Sequence, residues 1–161
     1  MNTLSTVKKG FITGILMIGA ELFFFYGLKE PLQSNWRYIT YTIYTAGLAW
    51  SIWTASGQTS RFKELFSTGF RTFIIVVLLM VAYTFVFIKM NPGIIDKIIE
   101  DNNRLIQAEG NHTPAEISAN ADKIRSMYLP ALVMAAIFIY LALGALVSVV
   151  AAALFGSRNK A

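Results

Sequence analysis

Between Arg37 and Arg61, and again between Arg125 and Arg158, the chain carries no charged residue at all. A hydrocarbon core roughly 30 Å thick is crossed by about 20 predominantly apolar helical residues, and each of these runs is long enough to do it. In lipid every backbone N–H and C=O must be satisfied within its own segment, so such runs fold as helices. Two further apolar segments come close to the same length, and residues 10–28, 38–55, 70–88 and 128–155 are the predicted crossings. The fold expected is therefore all-α, a single integral membrane domain over 1–161 with four transmembrane helices.

Composition agrees, with 55% of residues hydrophobic and only 14% charged. Lys8 and Lys9 before an apolar core could open a signal peptide, but "KEPLQSNWRY" follows without a small-x-small cleavage pattern, so an uncleaved anchor is expected. The chain has no cysteine, which removes disulfides, thiolate metal sites and cysteine nucleophiles together.

With four crossings both termini share a side. That side holds Lys8, Lys9, Arg61, Lys63, Arg71, Arg158 and Lys160 against one acid, Glu64, for a net +6; the other side's bases and acids cancel. The Lys and Arg totals tie at seven each, and density in short segments favours cytoplasmic termini. A face this basic is expected chiefly to orient the protein, and would draw anionic lipid headgroups or an acidic partner. The same charges, scattered at membrane borders, argue against nucleic-acid binding.

Residues 91–127 form the only long polar interval and read as an extramembrane amphipathic helical hairpin between the third and fourth crossings. Asn91 is the expected N-cap with Pro92 at the first helical position, and Gly110 the expected terminator. Thr113, Pro114 and Glu116 then spell a capping box. Lys97 with Asp101 and Glu100 with Arg104 stand at ion-pair spacing. Asp96, Glu100 and His112 match no metal-ligand spacing, and no metal or cofactor is expected.

Glu21 stands alone among apolar residues in the first segment. Gly10, Gly14, Met17 and Glu21 share one helical face, and the Gly10–Gly14 pair permits close approach of another backbone, so Glu21 points at protein rather than lipid. The second segment offers a stripe of Thr40, Tyr44, Gly47, Ser51, Thr54 and Gln58. At about 1.5 Å per residue, Glu21 lies roughly 16 Å above Gly10, the depth of Tyr44, Tyr83 and Ser148. A hydrogen bond from Glu21 to one of these hydroxyls is expected, Tyr44 first. Glu21 then acts either as neutral interhelical glue or as a proton relay; glue is favoured, because no second acid, histidine or lysine is evident at that depth.

In the last segment Gly144, Ser148, Ala152 and Gly156 form a small-residue row suited to packing within the chain or between copies, the former favoured. "KGFITGIL" and "TGFRTFII" share G-F-x-T, each followed by a proline, Pro31 or Pro92, a faint trace of a duplicated helical hairpin. No HExxH, Gly-rich phosphate loop or GxSxG appears, and no catalytic residue is assigned.

The motifs "KKGFITG", "GFRTFII" and "MNPGIIDKIIEDN", followed by a long Ala- and Gly-rich last helix, resemble the bacterial membrane-protein family termed domain of unknown function 4199. The resemblance implies a multi-pass protein of the bacterial inner membrane. Members are often encoded beside membrane glycosyltransferases that use polyprenyl-phosphate sugars, an association that assigns no residue a role. The function expected is a non-enzymatic accessory or scaffolding subunit that docks a protein partner or a second copy of itself in the lipid bilayer. The alternative is a small proton-coupled carrier using Glu21.

Overall fold

The computed structural model describes residues 4–29 and 35–158; Glu30, Pro31 and Lys160, used above, lie outside them. Among the described residues there are five α-helices, one π-helical turn and no strand. Helix α1 spans Thr6–Leu22 and passes into the π-helical turn Phe23–Gly27. The others are α2, Arg37–Ser56; α3, Phe62–Met90; α4, Gly93–Glu109; and α5, Pro114–Arg158.

Among the described residues three helical stretches are long and apolar enough to cross a membrane: Thr6–Gly27, Phe62–Met90 and Pro114–Ser157. Helix α2 is 20 residues long yet is not among them. Its buried stripe of Thr40, Tyr44 and Ser51 lowers its mean hydropathy, even though the helix carries no charge beyond Arg37.

The chain divides into two compact units, Met1–Met80 with Ile137–Ala161, and Val81–Ala136. The first holds most of the buried side chains. Met17, Tyr44, Leu48, Ile52, Leu65 and Val76 are wholly buried there. Glycines bring its helices together: a Cβ at Gly10 would stand 3.0 Å from the Thr72 carbonyl oxygen and from the Ile75 Cβ, and one at Gly14 would stand 2.6 Å from Leu79 Cδ1. The Gly10–Gly14 pair is thus the seat of α3 on α1. The row on α5 is likewise filled from within the chain. Gly144 meets Tyr44 and Phe73, Ser148 meets Gly69, Ala152 packs with Ile52 and Leu65, and Gly156 lies 3.1 Å from the Ser60 carbonyl oxygen, measured from an added Cβ. Large apolar side chains elsewhere on these helices stay exposed, among them Ile15 at 61%, Phe138 at 74% and Leu154 at 62%, as lipid-facing surfaces require.

In the second unit, Gly110 ends α4 with a left-handed φ of 72°. The capping box closes reciprocally: the Thr113 N–H donates to the Glu116 carboxylate at 2.7 Å, and the Glu116 N–H to Thr113 Oγ1 at 3.3 Å. Asn91 does not cap α4. Pro92 occupies that position, and the Asn91 amide turns back to donate to the Phe87 carbonyl at 2.8 Å, finishing α3 instead. Glu100 pairs with Arg104, whereas Lys97 and Asp101 form no ion pair among the described residues. The acid-before-base order is the better one on a helix, because it agrees with the macrodipole. Arg125 of α5 bridges to Asp96 of α4 at 2.8 Å, beside Ile99, the buried residue of α4.

Candidate functional site: a buried hydroxyl seam between two charged residues

The stripe on α2 becomes the axis of the first unit because its spacing of four and three keeps Thr40, Tyr44, Gly47, Ser51 and Thr54 on one face. That face is met by α1, α3 and α5. Near the end by Gly57, the Thr54 hydroxyl accepts from the Lys9 ammonium and donates to the Trp50 and Ser51 carbonyls. Ser51 and Thr72 share a hydrogen bond of 2.8 Å between α2 and α3. Gly47 faces Thr13, whose hydroxyl donates to the Lys9 carbonyl at 2.9 Å. Tyr44 donates to the Tyr140 carbonyl of α5 at 2.9 Å, and its ring stands edge-on to that of Tyr140 at 5.6 Å.

Glu21 is half-buried at the opposite end of α1 from Lys9. It interacts electrostatically with Tyr140, on which Tyr41, Arg37 and Tyr44 also act, so α1, α2 and α5 converge here. The π-helical turn begins two residues after Glu21, and Phe24 within it stacks on Trp36 at 5.4 Å and 11°. Lys29, with φ 54°, follows that turn. π-Helical turns are rare and concentrate at functional positions.

Of the hydroxyls expected beside Glu21, Tyr44 gives its proton to the Tyr140 carbonyl. Ser148 is not a partner of Glu21: among the described residues its Oγ is buried without a hydrogen-bond partner, and it packs on Gly69. Tyr83 sits in the Val81–Ala136 unit, tilted against Phe87 at 5.4 Å. Counting depth along a helix leaves the direction around each axis free, which is how Ser148 comes to face Gly69.

Lys9 and Tyr140 are the participants that the sequence reading overlooked. Lys9 looks like one of two flanking bases, but it is only 5% exposed, with its ammonium 5.7 Å from the centre of the Trp50 ring. A signal was available: Lys9, Thr13, Met17 and Glu21 recur every four residues, one face with a charge at each end. Tyr140 carried none beyond being a phenol in an apolar run. Thr40 Oγ1 shares the fate of Ser148 Oγ, buried without a hydrogen-bond partner among the described residues.

The seam offers proton donors and acceptors. Among the described residues no three His, Asp or Glu side chains gather to hold a metal ion. Outside the apolar stretches, Glu116 is held below the usual carboxylate range, first by the Thr113 backbone N–H, then by the Thr113 hydroxyl and nearby His112. His112 lies 3.4 Å from Glu109 and 3.9 Å from Glu116, a turn residue between two helix ends.

All-helical architecture, helices apolar enough for a membrane and a core assembled on glycines define the chain as a helical protein of membrane type. The family model described as protein of unknown function (DUF4199) matches residues 8–157, and the chain belongs to that family. No curated protein and no solved structure matches it.

Proposed function

We propose that the protein is a non-enzymatic accessory or scaffolding subunit of a complex in the bacterial inner membrane, with a polyprenyl-phosphate-dependent glycosyltransferase as the partner. Four helices cross the bilayer in this reading, α2 included, and both termini are cytoplasmic. Support for the crossing by α2 comes from its apolar outer side, where Tyr38, Ile39 and Trp53 are exposed at 70%, 47% and 57%.

The observation that carries the reading is how the seam is used. Tyr44, Ser51, Thr54 and Thr72 bond to one another or to backbone, and Gly47, Gly69 and Gly144 bring helices so close that an added Cβ would collide with a hydroxyl-bearing side chain. Such packing stabilises a fixed module rather than opening a path. The Val81–Ala136 unit, by contrast, exposes a groove of about 460 Å³ whose walls include Asp96, Glu100, Asn103, Arg104 and Arg125. That surface suits a polar partner. Native purification of the tagged protein in mild detergent, with mass spectrometry of what stays bound, tests the proposal. A stoichiometric membrane enzyme is expected; protein recovered alone or only as a homo-oligomer refutes it.

A second reading, a proton-coupled carrier, is favoured by the half-buried Glu21 beside Tyr140 and the π-helical turn that follows it. In liposomes Glu21→Gln then abolishes pH-dependent flux. Flux equal to wild type at every pH excludes the carrier.

A further inference from the structure

A buried ammonium ordinarily stands against a carboxylate, because an uncompensated charge taken out of water costs several kcal/mol. Lys9 is 5% exposed, and among the described residues no carboxylate lies within ion-pair distance of it. Its contacts are the Thr54 hydroxyl and the face of Trp50. Both belong to the last two turns of α2, whose carbonyl ends carry partial negative charge. These dipoles offset part of the cost, yet an ammonium has three N–H donors and among the described residues one acceptor, Thr54, is met.

The surroundings point to where the missing anion comes from. Lys8, next in the chain, is exposed and forms no side-chain ion pair among the described residues. One turn into α1, Phe11 and Ile12 are exposed at 46% and 38%, and Trp53, adjacent to Thr54, at 57%. Cations followed at once by exposed apolar and indole side chains mark the headgroup level of a bilayer.

We infer that Lys9, with Lys8 beside it, seats the phosphate of an anionic lipid headgroup where the start of α1 meets the end of α2. This rests on the reading that α1 and α2 cross the membrane. The shared chemistry is a phosphate carrying negative charge, and the lipid is the source because the flanking surface is apolar. Lys9 supplies a desolvated, directed donor, and Lys8 a solvated one that raises the local concentration of anionic headgroups.

The full chain carrying Trp36→Phe, which leaves Trp50 and Trp53 as the only indoles, is reconstituted into phosphatidylcholine vesicles containing brominated phosphatidylglycerol or brominated phosphatidylcholine at equal fraction. Stronger quenching by the anionic lipid is expected. Lys8→Gln lowers that preference by roughly fivefold, the factor for one basic residue near an anionic surface, and Lys9→Gln removes it with helicity retained. Equal quenching by the two lipids in the protein with both lysines overturns the inference even if Lys9→Gln does not fold. So does an undiminished preference in a folded Lys9→Gln. Inorganic phosphate, matched in ionic strength with chloride, leaves the preference unchanged; displacement by phosphate alone would make the ligand a free anion and refute the lipid. Absence of quenching by either lipid would instead refute the membrane crossing on which the seat depends.

Discussion

Gly47→Ala is the sharpest test of the seam. An added Cβ collides with Thr13 Oγ1 and lies 2.5 Å from its Cγ2 and 2.9 Å from its Cβ. Rotating Thr13 moves the first two atoms but sacrifices its hydrogen bond to the Lys9 carbonyl, and no rotation moves the Cβ. Ordinary contact begins at 3.4 Å, so 3.4 minus 2.9 leaves half an ångström by which α1 and α2 must separate. Overpacking of this kind costs about 1–3 kcal/mol, against about 1 kcal/mol gained from the better helix propensity of alanine. The net expectation is a loss of about 0–2 kcal/mol, read as an earlier midpoint in denaturant unfolding of the detergent-solubilised protein. Gly19→Ala is the control, since nothing stands within 4 Å of its added Cβ; it should be neutral or stabilising by up to about 1 kcal/mol. Adding Thr13→Ala to Gly47→Ala relieves the Oγ1 and Cγ2 clashes but not the Cβ clash, so recovery should be partial. If Gly47→Ala proves as stable as Gly19→Ala, α1 and α2 do not pack on this glycine and the seam is misplaced.

Three further outcomes follow from the geometry. Tyr44→Phe removes the bond to the Tyr140 carbonyl while keeping the ring contact, and should cost about 0.6 kcal/mol and no more than about 1.7 in the same unfolding assay. Because Glu116 is held below its ordinary range, its cap contributes fully above the unfolded carboxylate value near 4.3 and is lost as pH falls through the lower folded value. Hydrogen exchange at the Thr113 amide should therefore speed up, beyond its intrinsic pH dependence, as pH falls below the ordinary carboxylate value, and the step should vanish in Glu116→Gln. Gly110→Ala places a Cβ at φ 72°, and should destabilise the α4–α5 turn by about 1 kcal/mol, visible as faster exchange at the end of α4.

Much of the helical order was legible because it rests on local constraints. Arg37–Arg61 and Arg125–Arg158 lack charge, and Gly110 with the Thr113–Glu116 box marks the turn between α4 and α5, so capping and hydropathy alone place those features. The start of α3 at Phe62, eight residues before the apolar stretch begins, was not legible. It is supported by the ladder of Phe62, Phe66 and Phe70, centred 6.1 and 6.4 Å apart, on a polar turn that hydropathy discounts. Asn91 shows the limit of motif reading: "NPG" specifies a boundary, while the side chain serves whichever helix end presents the nearer carbonyl.

The sequence by itself determined where the apolar helical segments lie, that Glu21 needs a protein neighbour, and that the glycine rows are packing faces, since each follows from period, length or the cost of a polar group in lipid. Only the tertiary structure decided which face meets which. It turned Ser148 toward Gly69, set Tyr140 against Tyr44 and near Glu21, and buried Lys9 under Trp50 and Thr54. Those assignments depend on how each helix is rotated about its axis, a quantity set by the fit of side chains from several helices at once and carried by no single segment.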